Sequence, residues 1–155
     1  MARAYLSIGS NLDDPAAQVR TAVEVLQMVG TVTAVSPFYR TKPWGTIPDQ
    51  PEFVNAVVAL ETHLEPDALL ARLKALERDA GRSETSARWG PRVLDLDILT
   101  YDDRVVDEPH LQIPHPRMNE RAFVLVPLAD INEAYAPERD ALPQSERENV
   151  KSLSS

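Results

Sequence analysis

Glu52-Phe53-Val54-Asn55-Ala56-Val57-Val58-Ala59-Leu60-Glu61-Thr62 is the stretch on which the reading of the fold turns. Successive side chains of a strand point to opposite faces. Phe53, Asn55, Val57 and Ala59 therefore share one face, and Val54, Ala56, Val58 and Leu60 the other. Both faces are mostly apolar, so the strand is expected at the centre of a sheet. On its N-terminal side, residues 40–51 form a loop with three prolines, Trp44 and Gly45, and residues 31–39 are rich in β-branched and aromatic residues and read as another strand. Before that, Asp14 caps a helix with Pro15 at its first position and Val19, Ala22, Val23 and Leu26 on one face, closed by Gly30. Residues 2–8 alternate small or polar with apolar side chains and stop at Gly9-Ser10-Asn11, a first strand ending in a turn.

On the C-terminal side, Pro66 opens a second helix carrying Leu69, Leu70, Leu73 and Leu76, and Gly81 ends it. Residues 82–92 are polar and without periodicity. Residues 93–101 read as a fourth strand, followed by a tight Asp102-Asp103 turn, Val105-Val106, and a stretch punctuated by Pro109, Pro114 and Pro116. Residues 121–131 form a short apolar element interrupted by Pro127. The order strand, helix, strand, strand, helix, strand is that of a ferredoxin-like α+β unit. Its antiparallel sheet would carry the helices on one face, with extra strand and helix elements toward the C-terminus. One domain over residues 1–135 is expected, with residues 136–155 a polar, disordered tail.

The composition narrows the function. A chain of 155 residues holds one compact core. Its net charge of -8 argues against nucleic acid or an anionic membrane as the main partner. The absence of cysteine excludes thiol catalysis and thiolate metal sites and fits a reducing compartment. No apolar run approaches the ~20 residues of a membrane span, and no signal peptide pattern opens the chain, so a cytoplasmic monomer is expected. The five glycines are too widely spaced for a Gly-x-Gly-x-x-Gly or Walker loop. Any nucleotide phosphates must therefore be held by side chains and metal.

The strongest local signal is Arg88-Trp89-Gly90-Pro91-Arg92-Val93-Leu94-Asp95-Leu96-Asp97-Ile98-Leu99. Asp95 and Asp97 lie on one face of a strand, roughly 6.6 Å apart along it, while Leu94, Leu96 and Ile98 turn to the core. Two carboxylates so placed suit a hard cation such as magnesium, which keeps water and substrate phosphate in its other positions. A bare Asp-x-Asp more often marks a solvated sheet face. Here, however, Arg82, Arg88 and Arg92 crowd the preceding loop, with Glu84 its only acid, and arginine forks recognise phosphate. A second basic group holds His110, His115, Arg117 and Arg121. Phe53 and Asn55 on one strand face give a ring and an amide, as a flat hydrogen-bonding heterocycle requires.

The signature at residues 88–98 closely resembles that of the 6-hydroxymethyl-7,8-dihydropterin pyrophosphokinase family of folate biosynthesis. Further matches are Ile8-Gly9-Ser10-Asn11-Leu12, Phe38-Tyr39-Arg40-Thr41, Phe53-Val54-Asn55-Ala56, Gly81-Arg82, Ile113-Pro114-His115-Pro116 and Arg121-Ala122-Phe123. The resemblance covers about residues 4–131. It implies magnesium-dependent transfer of the terminal diphosphate of ATP to the hydroxymethyl group of a reduced pterin, releasing AMP. It implies Asp95 and Asp97 as ligands of two magnesium ions, and Arg82 and Arg92 as catalytic residues beside them. ATP would be bound by Glu77, Arg82, Arg92, Ile98, His115 and Arg121. The pterin would lie between Phe53 and Phe123, with Asn55, Thr41, Lys42, Pro43 and Gly45 around it and Trp89 closing over it.

Three positions depart from the family pattern. Glu84 stands where some members have arginine, Phe53 where tyrosine is frequent, and Pro116 where an aromatic can occur. Two other readings stay open on the residues alone: a silent binding module on the same fold, and a metal-dependent nuclease or phosphatase. Retention of Asp95, Asp97, Arg92, His115 and Asn55 together speaks against the first, and the missing additional acids and basic surface against the second. The loops at residues 40–51 and 82–92 each pair a tryptophan with a glycine, and they are expected to serve as lids that order on ligand binding.

Overall fold

The computed structural model describes residues 1–12, 14–41, 52–81 and 94–153. The central strand is β4 (Phe53–Thr62). β1 (Ala2–Ser10) lies antiparallel along its full length, from Ala2 opposite Thr62 to Ser10 opposite Val54. β5 (Asp95–Tyr101) runs antiparallel on the far side of β1. The strand expected over residues 31–39 is split into β2 (Thr31–Val35) and β3 (Tyr39–Thr41), and both pair with β4. Pro37 has no backbone N–H to give to a ladder, so the strand breaks around it. Ser36 bridges the break: its N–H donates to the Val57 carbonyl and its hydroxyl accepts from the Val57 N–H, each at 2.9 Å.

Helices α1 (Pro15–Leu26) and α2 (Pro66–Ala80) cover one face of the sheet. Their Val19, Leu26, Leu69 and Leu73 meet Leu6, Ile8, Ala56, Val58, Leu60, Leu96 and Ile98, the even-numbered face of the strands. Asp14 caps α1 as expected, accepting from the Ala17 N–H, and it adopts a left-handed φ of 59°. The opposite face is not open. There α3 (Ala122–Ile131) packs Val124, Leu125 and Leu128 on Val57, Leu99 and Met118. Pro127 does not interrupt α3, whose largely apolar sequence is buried on the sheet; tertiary burial outweighs its low helix propensity. A small hairpin, β6 (Val106–Glu108) and β7 (Leu111–Ile113), follows β5.

The expected disordered tail is corrected by the structure. Residues 136–153 contain α4 (Ala136–Ala141), α5 (Gln144–Glu148) and β8 (Val150–Ser152). β8 pairs antiparallel with β3, Thr41 opposite Val150 and Tyr39 opposite Ser152. A polar segment gains order here because the unpaired edge of β3 offers it a ladder, which composition does not reveal. Across the main path the strand order is β5-β1-β4-β3-β8, with β2 also on β4. No helix among the described residues is long and apolar enough to cross a membrane.

Candidate active site

The odd-numbered face of the sheet, the one bearing α3, carries the polar groups. Its register puts Asp95 opposite Gly9, Gly9 opposite Asn55, and Asn55 opposite Tyr39, one row across four strands. One step along, Asp97 stands opposite Ser7. With strands about 4.8 Å apart, Asp95 and Asn55 are about 10 Å from each other, and only Gly9 lies between them. A Cβ on Gly9 would come within 2.8 Å of the Asn55 Oδ1, so glycine keeps this floor low. Asn55 is 4% exposed, and its Nδ2 donates to the Thr41 hydroxyl at 3.1 Å, which fixes the amide orientation.

Asp95 and Asp97 are half-buried on that face, while Leu96 and Ile98 between and beyond them are in the opposite core. The alternation expected from the sequence is thus present. As a donor set, two half-buried carboxylates on one strand face fit magnesium, which takes one or two protein carboxylates and leaves its other positions to water and phosphate.

His115 reaches this pair from the segment after β7. Its N–H donates to the Leu99 carbonyl at 2.8 Å, docking the segment on the outer edge of β5. The Arg117 N–H donates to the His115 Nδ1 at 3.2 Å, so the proton of the neutral ring sits on Nε2. Burial, the largest cause, holds the imidazole below its ordinary pKa; Asp97 pulls it back up, and Arg121 and Arg117 push it down. Arg121 precedes the first turn of α3, its guanidinium 5.5 Å from the centre of the Phe123 ring. That contact orients the cation and the ring together.

A cavity of about 500 Å³ opens beside these groups, with Thr41, Arg121, Phe123, Glu146, Asn149 and Val150 in its wall. Phe53, half-buried at the start of β4, shares the sheet face of Asn55. The structure therefore brings together Asp95, Asp97, Thr41, Phe53, Asn55, His115, Arg121 and Phe123.

Two expected residues stand differently. The Ile98 side chain is 3% exposed in the core under α1 and α2, so only its backbone faces the edge of β5. Glu77 is engaged by the fold: it accepts from the Leu96 N–H at 2.7 Å and faces Lys74 at 3.4 Å. Arg82, Arg88, Arg92, Trp89, Lys42, Pro43 and Gly45, together with residues 42–51 and 82–92 of the expected lids, lie outside the described residues, whereas Arg40 and Thr41, expected in the first lid, belong to β3. Sequence reasoning missed Glu146, Asn149 and Val150 altogether, because their segment reads as a tail. Their only sequence signal is the Val150-Lys151-Ser152 alternation.

The chain is similar to proteins of one family. The family model for 7,8-dihydro-6-hydroxymethylpterin-pyrophosphokinase matches residues 5–133. A 2-amino-4-hydroxy-6-hydroxymethyldihydropteridine pyrophosphokinase of Pseudomonas aeruginosa is 47% identical over 131 residues, covering 83% of this chain and 80% of that protein. The enzyme of the same name from Bacillus subtilis is 40% identical over 150 residues, 96% of this chain and 88% of that one. Among solved structures, an HPPK-DHPS in complex with substrates aligns at a TM-score of 0.67 and 14% identity, covering 90% of this chain. A Plasmodium falciparum HPPK-DHPS aligns at 0.69 and 14%. This chain spans only 43% and 40% of those two, and at such identity they speak to fold alone. With the family model matching most of its length, the chain belongs to the 7,8-dihydro-6-hydroxymethylpterin-pyrophosphokinase family.

Proposed function

We infer that this chain transfers the terminal diphosphate of ATP to the hydroxymethyl group of 6-hydroxymethyl-7,8-dihydropterin, releasing AMP. The observation that carries the reading is the row Asp95, Gly9, Asn55. It sets a cation-binding carboxylate and a heterocycle-binding amide about 10 Å apart over a floor with no side chain. That span accommodates a pterin lying at Asn55 with its hydroxymethyl arm directed toward phosphates above Asp95 and Asp97.

Asp95 and Asp97 would hold magnesium, two ions with ATP, which when bound supplies charge neutralisation for the triphosphate. The other work belongs to side chains. Asn55, steadied by Thr41, binds the pterin edge; Phe123 packs on its face with Phe53 on the opposite side; Arg121 and the Nε2–H of neutral His115 donate to phosphate oxygens. Glu77 fixes the outer edge of β5, so that the Ile98 backbone is presented at a constant position to the adenine. In a loose phosphoryl-transfer transition state the attacking hydroxyl keeps its proton until late, so positioning and charge carry most of the acceleration. Arg82 and Arg92 complete the phosphate contacts, and Lys42, Pro43, Gly45 and Trp89 complete the pterin contacts.

We read the core as ferredoxin-like. The order β5-β1-β4 followed by β2 and β3, every pairing antiparallel, supports this, with α3 and the C-terminal elements added on the second face. The test of function is an AMP-release assay with ATP, magnesium and the hydroxymethyl dihydropterin. AMP and pterin diphosphate should form in equal amounts. Formation of ADP, or AMP release that does not require the pterin, would overturn the reading.

A further inference from the structure

We propose that Glu146 and Asn149, on the C-terminal segment, are specificity-determining residues of the heterocycle pocket. The inference rests on the pterin reading above and assigns that pocket a wall which the sheet and α3 do not supply.

The cavity wall draws on two parts of the chain. Thr41 from β3 and Arg121 and Phe123 at the start of α3 form one part, and Glu146, Asn149 and Val150 from the C-terminal segment the other. Register ties the parts together: Asn55 donates to Thr41, and Val150 sits directly opposite Thr41 in the β3–β8 ladder. α5 is held in place by its own bonds. The Glu146 N–H donates to the Pro143 carbonyl at 3.0 Å, the Asn149 N–H to the Glu146 carbonyl at 3.3 Å, and the Arg147 Nε to the Leu142 carbonyl at 3.1 Å. At the end of the strand, the Leu153 N–H donates to the Phe38 carbonyl at 3.0 Å.

Within this anchored wall, Glu146 and Asn149 are half-buried, and neither side chain has a hydrogen-bond or ion-pair partner among the described residues. Half-buried polar groups that the fold does not use are free to bond to what fills the cavity. A reduced pterin presents ring and amino N–H donors alternating with acceptors. A carboxylate accepts from the donors, and an amide serves both kinds.

Calorimetry on the full chain tests this. Binding of 6-hydroxymethyl-7,8-dihydropterin is measured with magnesium and a non-hydrolysable ATP analogue present, and binding of the analogue is measured separately. The variants are E146A, N149A, the size-conserving E146Q and N149D, and N55A as reference. E146A and N149A should each weaken pterin binding about tenfold, with analogue affinity within about twofold of the parent chain. In turnover, the pterin KM should rise while kcat holds. If an alanine variant unfolds, its size-conserving counterpart decides the matter, and a smaller change in the same direction is expected from it. Unchanged pterin affinity, or parallel loss of pterin and analogue binding, overturns the inference. If N55A weakens pterin binding while the C-terminal variants do not, only the wall is refuted. If the parent chain itself does not bind pterin, the reading beneath it fails as well.

Discussion

Gly9 does its work through the side chain it lacks. On either side of it in the sheet stand Asp95 and Asn55, and the 2.8 Å approach that a Cβ would make is to the Asn55 amide oxygen. That amide is short and already tied to Thr41, so it has little room to give way. Gly9→Ala should therefore still fold but melt a few degrees below the parent, and bind pterin more weakly, as the amide is forced off its partner. Calorimetry and a thermal melt on the same sample check both halves. At the carboxylates the expectation is harsher. Asp95→Ala and Asp97→Ala should each lower kcat by about a thousandfold or more while leaving the melt intact, since charge neutralisation at such sites is commonly worth several kcal/mol. Near-normal turnover in either folded variant would remove both from the metal site. Asn55→Ala should weaken pterin far more than an ATP analogue, because a buried hydrogen-bonding edge left unmet is penalised by about 1–3 kcal/mol.

Among the elements, β3 is one of the shortest, yet much depends on it. Three residues long, it places Thr41 beside Asn55, receives β8 on its free edge, and sends Tyr39 toward α3, where its hydroxyl donates to the Asp130 carboxylate. Burial first, and Asp130 second, push the Tyr39 pKa well above the ordinary tyrosine value. A raised pKa means the folded state holds the proton more tightly than the unfolded one. The stabilisation is then fully present below about pH 10, the unfolded value, and is lost as pH climbs toward the folded one. Tyr39→Phe should cost about 0.5–1.5 kcal/mol at pH 7. It should also flatten the decline in stability that denaturant titrations record between pH 9 and about 11. An unchanged alkaline profile would mean that the hydroxyl does not hold β3 against α3. The break between β2 and β3 is legible in Pro37; which half lies beside Asn55 is not, because register depends on the partner strand.

For the molecule as a whole, two apolar clusters lie on opposite faces of one sheet and serve different ends. Leu69 and Leu125 are both fully buried, the first in α2 and the second in α3. Truncating either to alanine should cost about 2–5 kcal/mol of unfolding free energy. Only Leu125→Ala should also raise the pterin KM, because α3 carries Phe123 and follows Arg121 directly. Equal effects on KM from both variants would show that the two faces are not functionally separate.

By itself the sequence determined the strand and helix order from β1 to β5 apart from the split of β2 from β3, the caps at Asp14 and Gly81, the central position of β4, and the sharing of one strand face by Asp95 and Asp97 and of another by Phe53 and Asn55. These are local matters of period and backbone preference, readable from neighbours in the chain. Tertiary structure alone decided that both pairs lie on the same side of the sheet, in a row through Gly9. It also decided that α3 covers that side and that a polar C-terminal segment is ordered along β3. Each of these depends on strand register or on an unpaired edge finding a partner far away in sequence. No local pattern encodes such pairing, because backbone hydrogen bonds between strands are indifferent to side-chain identity.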